Sequence, residues 1–90
     1  DCLMVKPGLP YLDIIQCLDE TCQAPIFSYQ VSGEYSMLKS LAQTMSKDED
    51  IVFHEACLCL KRAGSQSILS YHALQMARAI QAGKFDVLND

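Results

Sequence analysis

Four residues of this chain combine a reactive or ligand-holding side chain with a place where a strand should end: Lys6, Tyr29, Ser32 and Tyr71. The run CLMVK, residues 2 to 6, is almost continuously apolar and closes on a lysine before Pro7 and Gly8. Such a run reads as a strand covered on both faces, and Pro7 stops it from extending. Side chains alternate along a strand, so Lys6 points the way Cys2 and Met4 point, into the interior if the sheet closes into a barrel. A lysine there is either snorkelling to solvent or chemically employed. An amine with the ordinary pKa of about 10.4 is protonated at neutral pH, whereas one that burial makes partly neutral can attack a carbonyl. Lys6 is therefore a candidate Schiff-base lysine.

Ser32, Gly33 and the N–H groups opening the next helix form a natural anion site, because those donors lack partners within the helix and its dipole favours negative charge. A carboxylate would fit; the plainer reading makes Ser32 an N-cap. Tyr29 and Tyr71 fall at or near strand ends, where a phenol can line a pocket and donate a hydrogen bond, and where core packing accounts for it equally. The pairs Cys57/Cys59 and Cys17/Cys22 have neither a second pair nor a histidine at zinc-finger spacing, so they read as small buried residues and no metal site is assigned. His54 is expected on a helix surface, and His72 directly follows a strand end.

The elements that must position these groups alternate between strand and helix. After the first strand, Pro10 suits a first helical turn, and Leu12, Ile15 and Leu18 give residues 10 to 21 an apolar helical face. IFSYQV, residues 26 to 31, is a second strand. Tyr35, Leu38, Leu41 and Met45 place a helix from about Glu34. Ser46 and Glu49 match a capping box for a further helix in which Val52, Ala56, Cys59 and Ala63 share a face, with Gly64 as its C-terminal cap. SILSY, residues 67 to 71, is the third strand, and Leu74, Ala77 and Ile80 line a last helix stopped by Gly83.

Strands separated by helices imply parallel pairing through right-handed crossovers. Three such strands with helices on one side leave an apolar face exposed, so the fold class is α/β and the chain reads as a piece of a larger doubly wound sheet or barrel. In either architecture chemistry gathers where the parallel strands end, which is where Lys6, the QVSG segment and SYH stand.

Composition narrows the function. Half of the 90 residues are hydrophobic and a fifth are charged, a globular balance. A net charge of −4 with scattered Lys and Arg argues against a nucleic-acid partner. No apolar run reaches the roughly 18 residues of a membrane span, and the start, with no initiator Met or basic n-region, reads like that of a fragment. Five cysteines, an odd number, point to a reducing compartment.

The motifs MVKPGLPYLDII, YQVSGEYSM and KRAG…ILSY, in that order and with compatible spacing from residue 1 to about 77, resemble the C-terminal part of the porphobilinogen synthase (δ-aminolevulinic acid dehydratase) family. The resemblance implies the last three strands and helices of a (β/α)₈ barrel over residues 1–82, with 83–90 a tail beyond the matching part and a candidate oligomer contact. It implies that Lys6 forms a Schiff base with the ketone of the first δ-aminolevulinate, that Ser32 and Tyr71 hold that substrate's carboxylate, and that Tyr29 lines the same pocket. Two substrate molecules then condense with loss of water to porphobilinogen, a step of haem and chlorophyll synthesis. The second active-site lysine and the metal-binding segment would lie upstream, so magnesium or zinc would be held outside this fragment, which is not expected to be active alone. The family assembles into homo-oligomers, commonly octamers. YQVSGEYSM with HALQ is similar to plant, algal and apicomplexan members, which implies a plastid location and magnesium, with a cytoplasmic zinc enzyme as the alternative. Ser65 and Gln66 stand where AGAD is usual, and His72 replaces an aromatic residue. Two other classes of function compete with the lyase: a degenerate barrel that keeps a small-carboxylate pocket, and a purely structural element for barrel closure or assembly.

Overall fold

A computed structural model describes residues 1–86. Its three strands, β1 (Leu3–Val5), β2 (Ile26–Tyr29) and β3 (Ser67–Leu69), are all parallel and lie in the order β1-β2-β3. Four α-helices connect or follow them: α1 (Leu12–Thr21), α2 (Ser32–Thr44), α3 (Glu49–Ala63) and α4 (Ala73–Gln81). A 3-10 turn over Leu9–Tyr11, with Pro10 inside it, leads into α1, so the first helix begins two residues later than its sequence pattern suggests. Among the described residues, no helix is long and apolar enough to cross a membrane.

Register sorts the strand residues onto two faces. Leu3 pairs with Ile26 and Val5 with Ser28, while Ser28 pairs in turn with Ile68. Val5 and Ile26 pack with Ile15 of α1 and Leu60 of α3, and Leu12, Leu18, Ala63 and Ile68 close around them. The opposite face carries Met4, Phe27, Tyr29 and Leu69. Met4 is 49% exposed and Leu69 39%, which leaves the apolar face that the strand pattern implies uncovered in this chain. Beyond the last residue of β1, Lys6 continues the parity of Met4 onto that open face and is exposed.

Strands β1 and β3 end before Lys6 and Ser70, and β2 stops short of its predicted end because the next helix takes over the chain. Helix α2 starts at Ser32 with Val31 as its N-cap, which leaves Gln30 as the last residue to reach β3, through its N–H to the Leu69 carbonyl at 2.9 Å. Ser32 is thus the first helical residue rather than the cap. Nor does Ser46 open a capping box: it sits at φ 52 in the connection between helices, and the cap of α3 is Asp48, whose carboxylate accepts from the Asp50 N–H at 2.8 Å. Gly64 does end α3, at φ 125, and a Cβ there would fall 2.6 Å from Cβ and Cγ of Asp19. Only glycine closes the helix against α1 at that distance.

A second packed region lies along α3, where Phe53 stacks on His72 with centroids 4.1 Å apart and His54 on Phe85 at 4.0 Å. His54 is therefore buried, not a surface residue, and the cause is non-local, since Phe85 follows α4 and is itself 1% exposed. Residues 83 to 86 fold against α3 in this way, and 87 to 90 lie outside the described residues. Helix α4 turns Ala79 inward, whereas Leu74 and Ile80 of the predicted apolar face are 60% and 57% exposed. Cys2, Cys17 and Cys22 are likewise exposed, and only Cys57 and Cys59 are partly buried. Ser65 takes a structural role: Ser28 Oγ donates to Ser65 Oγ at 2.7 Å, and Ser65 Oγ donates to the Ser67 carbonyl at 2.8 Å, tying β2 to the start of β3.

Candidate active site

All four residues singled out in the sequence stand at the carboxyl ends of the parallel strands. Lys6 follows β1 directly, Tyr29 is the last residue of β2, Ser32 opens α2, and Tyr71 lies two residues past β3. The closest approach among them is between the tyrosines, whose hydroxyls are 2.9 Å apart across strands β2 and β3. Their rings lie 6.2 Å apart and tilted. That bond, with burial and the neighbouring phenol's charge as lesser causes, raises the Tyr29 pKa above the ordinary 10.0. One of the two hydroxyls donates to the other, which leaves one O–H free to donate at the rim. Ser32 and Lys6 are exposed on the same rim.

A residue that the sequence reading passed over organises this edge. Glu34, in the first turn of α2, is 3% exposed. Its Oε2 accepts from the Gly8 N–H at 2.9 Å and the Val31 N–H at 3.0 Å, and its Oε1 from the Leu9 N–H at 2.9 Å. One carboxylate thus joins the loop that follows Lys6 to the helix start that carries Ser32. The position of Glu34 directly after SG, ahead of an apolar helical face, is a cue to an N-terminal acid. Nothing local to it signals that two of its partners are 25 and 26 residues away. Gly8 is buried beneath it, and a Cβ on Gly8 would meet Leu60 Cδ2 at 3.0 Å.

Tyr71 is seated in an aromatic row. It meets Tyr35 edge-on at 5.7 Å, Tyr35 meets Phe53 at 5.5 Å, and Phe53 stacks on His72. Above Tyr35 lies Lys39, whose ammonium is 5.4 Å from the ring centroid and 3.4 Å from Glu49 Oε2. Among the described residues, no three His, Cys, Asp or Glu side chains are placed to hold a metal ion.

Residues 1–79 match the family model described as Delta-aminolevulinic acid dehydratase. The chain belongs to the delta-aminolevulinic acid dehydratase family. Over 80 residues it is 55% identical to "Delta-aminolevulinic acid dehydratase, chloroplastic" of Pisum sativum, covering 89% of this chain and 20% of that protein. The Spinacia oleracea protein of the same name is also 55% identical, with 18% of its length covered. Among solved structures, delta-aminolevulinic acid dehydratase (porphobilinogen synthase) from Toxoplasma gondii ME49, in complex with the reaction product porphobilinogen, superposes with a TM-score of 0.81 at 41% identity. That match covers 87% of this chain and 22% of the Toxoplasma chain. The chain thus spans about a fifth of the length of the dehydratases it matches, and its three parallel strands match a fragment of that family's (β/α)₈ barrel.

Proposed function

We propose that this chain supplies the substrate-anchoring end of a delta-aminolevulinic acid dehydratase, an enzyme that condenses two δ-aminolevulinate molecules to porphobilinogen with loss of water. The observation that carries the reading is the placement of Lys6, Tyr29, Ser32 and Tyr71 together on the carboxyl rim of a parallel sheet, in a chain of that family. In a (β/α)₈ barrel that rim is where active sites are built.

Each residue has a task that its setting supports. Lys6 lies on the face that the barrel encloses, and its Nζ attacks the ketone carbon of the first substrate; loss of the carbonyl oxygen as water leaves the imine. Ser32, with the free N–H groups of the first turn of α2, and the Tyr71 hydroxyl receive the substrate's carboxylate. Tyr29 holds the Tyr71 hydroxyl from the side, at 2.9 Å.

Family membership implies a metal ion, magnesium or zinc. The described residues do not fit one, so we place its ligands outside this segment and route no step through it. The names of the plant relatives support a plastid location, and the family resemblance implies a homo-oligomer, commonly an octamer. In the full-length enzyme, Lys6→Ala should abolish porphobilinogen formation, while Ser32→Ala and Tyr71→Phe should mainly raise KM. Full activity in Lys6→Ala would overturn the assignment.

A further inference from the structure

Tyr71 is 54% exposed and sits between the end of β3 and the start of α4, where its ring edge meets Tyr35 and its hydroxyl meets Tyr29. The residue beside it is buried. His72 is 2% exposed, and its ring lies flat on Phe53, with centroids 4.1 Å apart and planes 9° from parallel. Its Nε2 is 2.8 Å from Asp50 Oδ1 in the first turn of α3. The other oxygen of Asp50 accepts from Lys84 Nζ at 2.8 Å, so the carboxylate is gripped from both sides. Lys84 first and His72 second hold the Asp50 carboxyl below its ordinary range, against the opposing effect of its burial. An ionised Asp50 only accepts, so Nε2 is the donor of this bond, while Nδ1 is buried without a hydrogen-bond partner, 4.0 Å from Glu49 Oε1. The turn itself is closed by the His72 N–H donating to Ser70 Oγ at 3.1 Å and the Ala73 N–H to the Ser70 carbonyl at 3.2 Å.

We propose that His72 is a positioning residue for Tyr71: its stack on Phe53 and its bond to Asp50 pin the β3–α4 turn to α3 and so set where the Tyr71 hydroxyl stands. The proposal rests on the reading of Tyr71 as a carboxylate-holding residue. Two routes lead from the imidazole to the phenol. One is the single peptide link; the other is the row from His72 through Phe53 and Tyr35 to the edge of Tyr71. A phenylalanine or tyrosine at position 72 could stack on Phe53 but would lack a ring nitrogen at the Nε2 position. The histidine adds a directional bond to the start of α3, which stacking does not supply.

The test is a double-mutant cycle in the full-length enzyme, with δ-aminolevulinate as substrate: His72→Ala, Tyr71→Phe and the two together. His72→Phe is a fourth variant that keeps the stack and drops the bond. His72→Ala should raise KM about fivefold, the worth of one hydrogen bond, with kcat near that of the parent. In the Tyr71→Phe background the same change should add less than about twofold, because the hydroxyl it positions is gone. His72→Phe should fall between parent and His72→Ala. A KM raised by Tyr71→Phe but untouched by His72→Ala would overturn the proposal and leave the role of Tyr71 standing. Equal KM factors with and without the Tyr71 hydroxyl would mean general loosening, and would also overturn it. An unchanged KM in Tyr71→Phe would overturn the reading of Tyr71 and this proposal with it. Should His72→Ala fail to fold, the cycle run with His72→Phe decides between the same outcomes.

Discussion

Replacing Glu34 by glutamine changes one oxygen to an amide nitrogen, and the structure says what that costs. Three backbone N–H groups converge on the carboxylate, two on Oε2 and one on Oε1. A glutamine can turn its oxygen toward Gly8 and Val31, but its NH₂ then faces the Leu9 N–H, donor against donor. The loss is one charge-assisted bond outright, worth about 1.5–3 kcal/mol, with the other two weakened to neutral strength at about 1 kcal/mol each, for a total of about 3.5–5 kcal/mol. Glu34→Ala leaves all three donors without a protein partner, and because Gly8 is buried its donor is not reached by water; about 5 kcal/mol is expected. The effect should be local first. Hydrogen–deuterium exchange of the full-length enzyme should show the amides of Gly8, Leu9 and Val31 exchanging faster in Glu34→Gln than in the parent, with the Ile26 to Tyr29 ladder slower to change. Because the freed loop follows Lys6, imine formation should slow with it. Protection at Gly8 and Leu9 equal to the parent, together with an unshifted thermal midpoint, would refute the claim that this carboxylate joins the two loops.

Gly64→Ala should lower the thermal midpoint, since it combines a positive φ with a Cβ 2.6 Å from Asp19, at a cost of about 1–3 kcal/mol or more. Gly33→Ala, where an added Cβ meets nothing within 4 Å, should be neutral or raise the midpoint slightly, and thermal scans of the pair check the contrast. Tyr29 should form tyrosinate only above the ordinary 10.0, by ultraviolet absorbance titration. The sign follows from the raised folded value: the hydroxyl pair's contribution is complete below 10.0 and is lost as pH rises through the folded pKa, so Tyr71→Phe should bring the Tyr29 transition down. Lys84→Ala releases Asp48 and Asp50, both held below their ordinary 3.8 by its ammonium first. Depressed carboxylates stabilise above the unfolded value and lose that contribution as pH falls through the folded one. The variant should therefore unfold at higher pH on acid titration while changing stability little near neutrality, because the pairs are partly exposed and screened by solvent.

What the sequence made legible is what depends on near neighbours along the chain. Apolar runs bounded by Pro and Gly place the three strands, and the spacing of Leu12, Ile15 and Leu18 places the face of α1 that packs on them. Strand parity sets Lys6 beside Met4 on the open face before any coordinates are known. Caps were harder to read, because several side chains compete for the same few N–H groups. Ser46 and Ser32 look like caps by residue type, but the Asp48 carboxylate takes the Asp50 N–H at the start of α3, and α2 begins one residue early, with Val31 as its cap. Long-range contacts between individual side chains were not legible, although the parallel pairing of the strands was. Nothing near His54 announces Phe85, and nothing near His72 announces Asp50, 22 residues earlier. The stripe of Leu74 and Ile80 has the spacing of a core face yet is exposed, because periodicity reports that a face is apolar and not what covers it.

The central claim is that Lys6 is the nucleophile, and trapping tests it most directly. The full-length enzyme would be incubated with δ-aminolevulinate, reduced with borohydride, and the added mass located by peptide mass spectrometry. The account predicts a reduced adduct on the peptide carrying Lys6, absent in Lys6→Ala, with porphobilinogen formed by the parent enzyme. A folded, substrate-binding enzyme whose Lys6 stays unmodified would contradict it, and the carboxylate pocket would then belong to a barrel that binds without forming the imine.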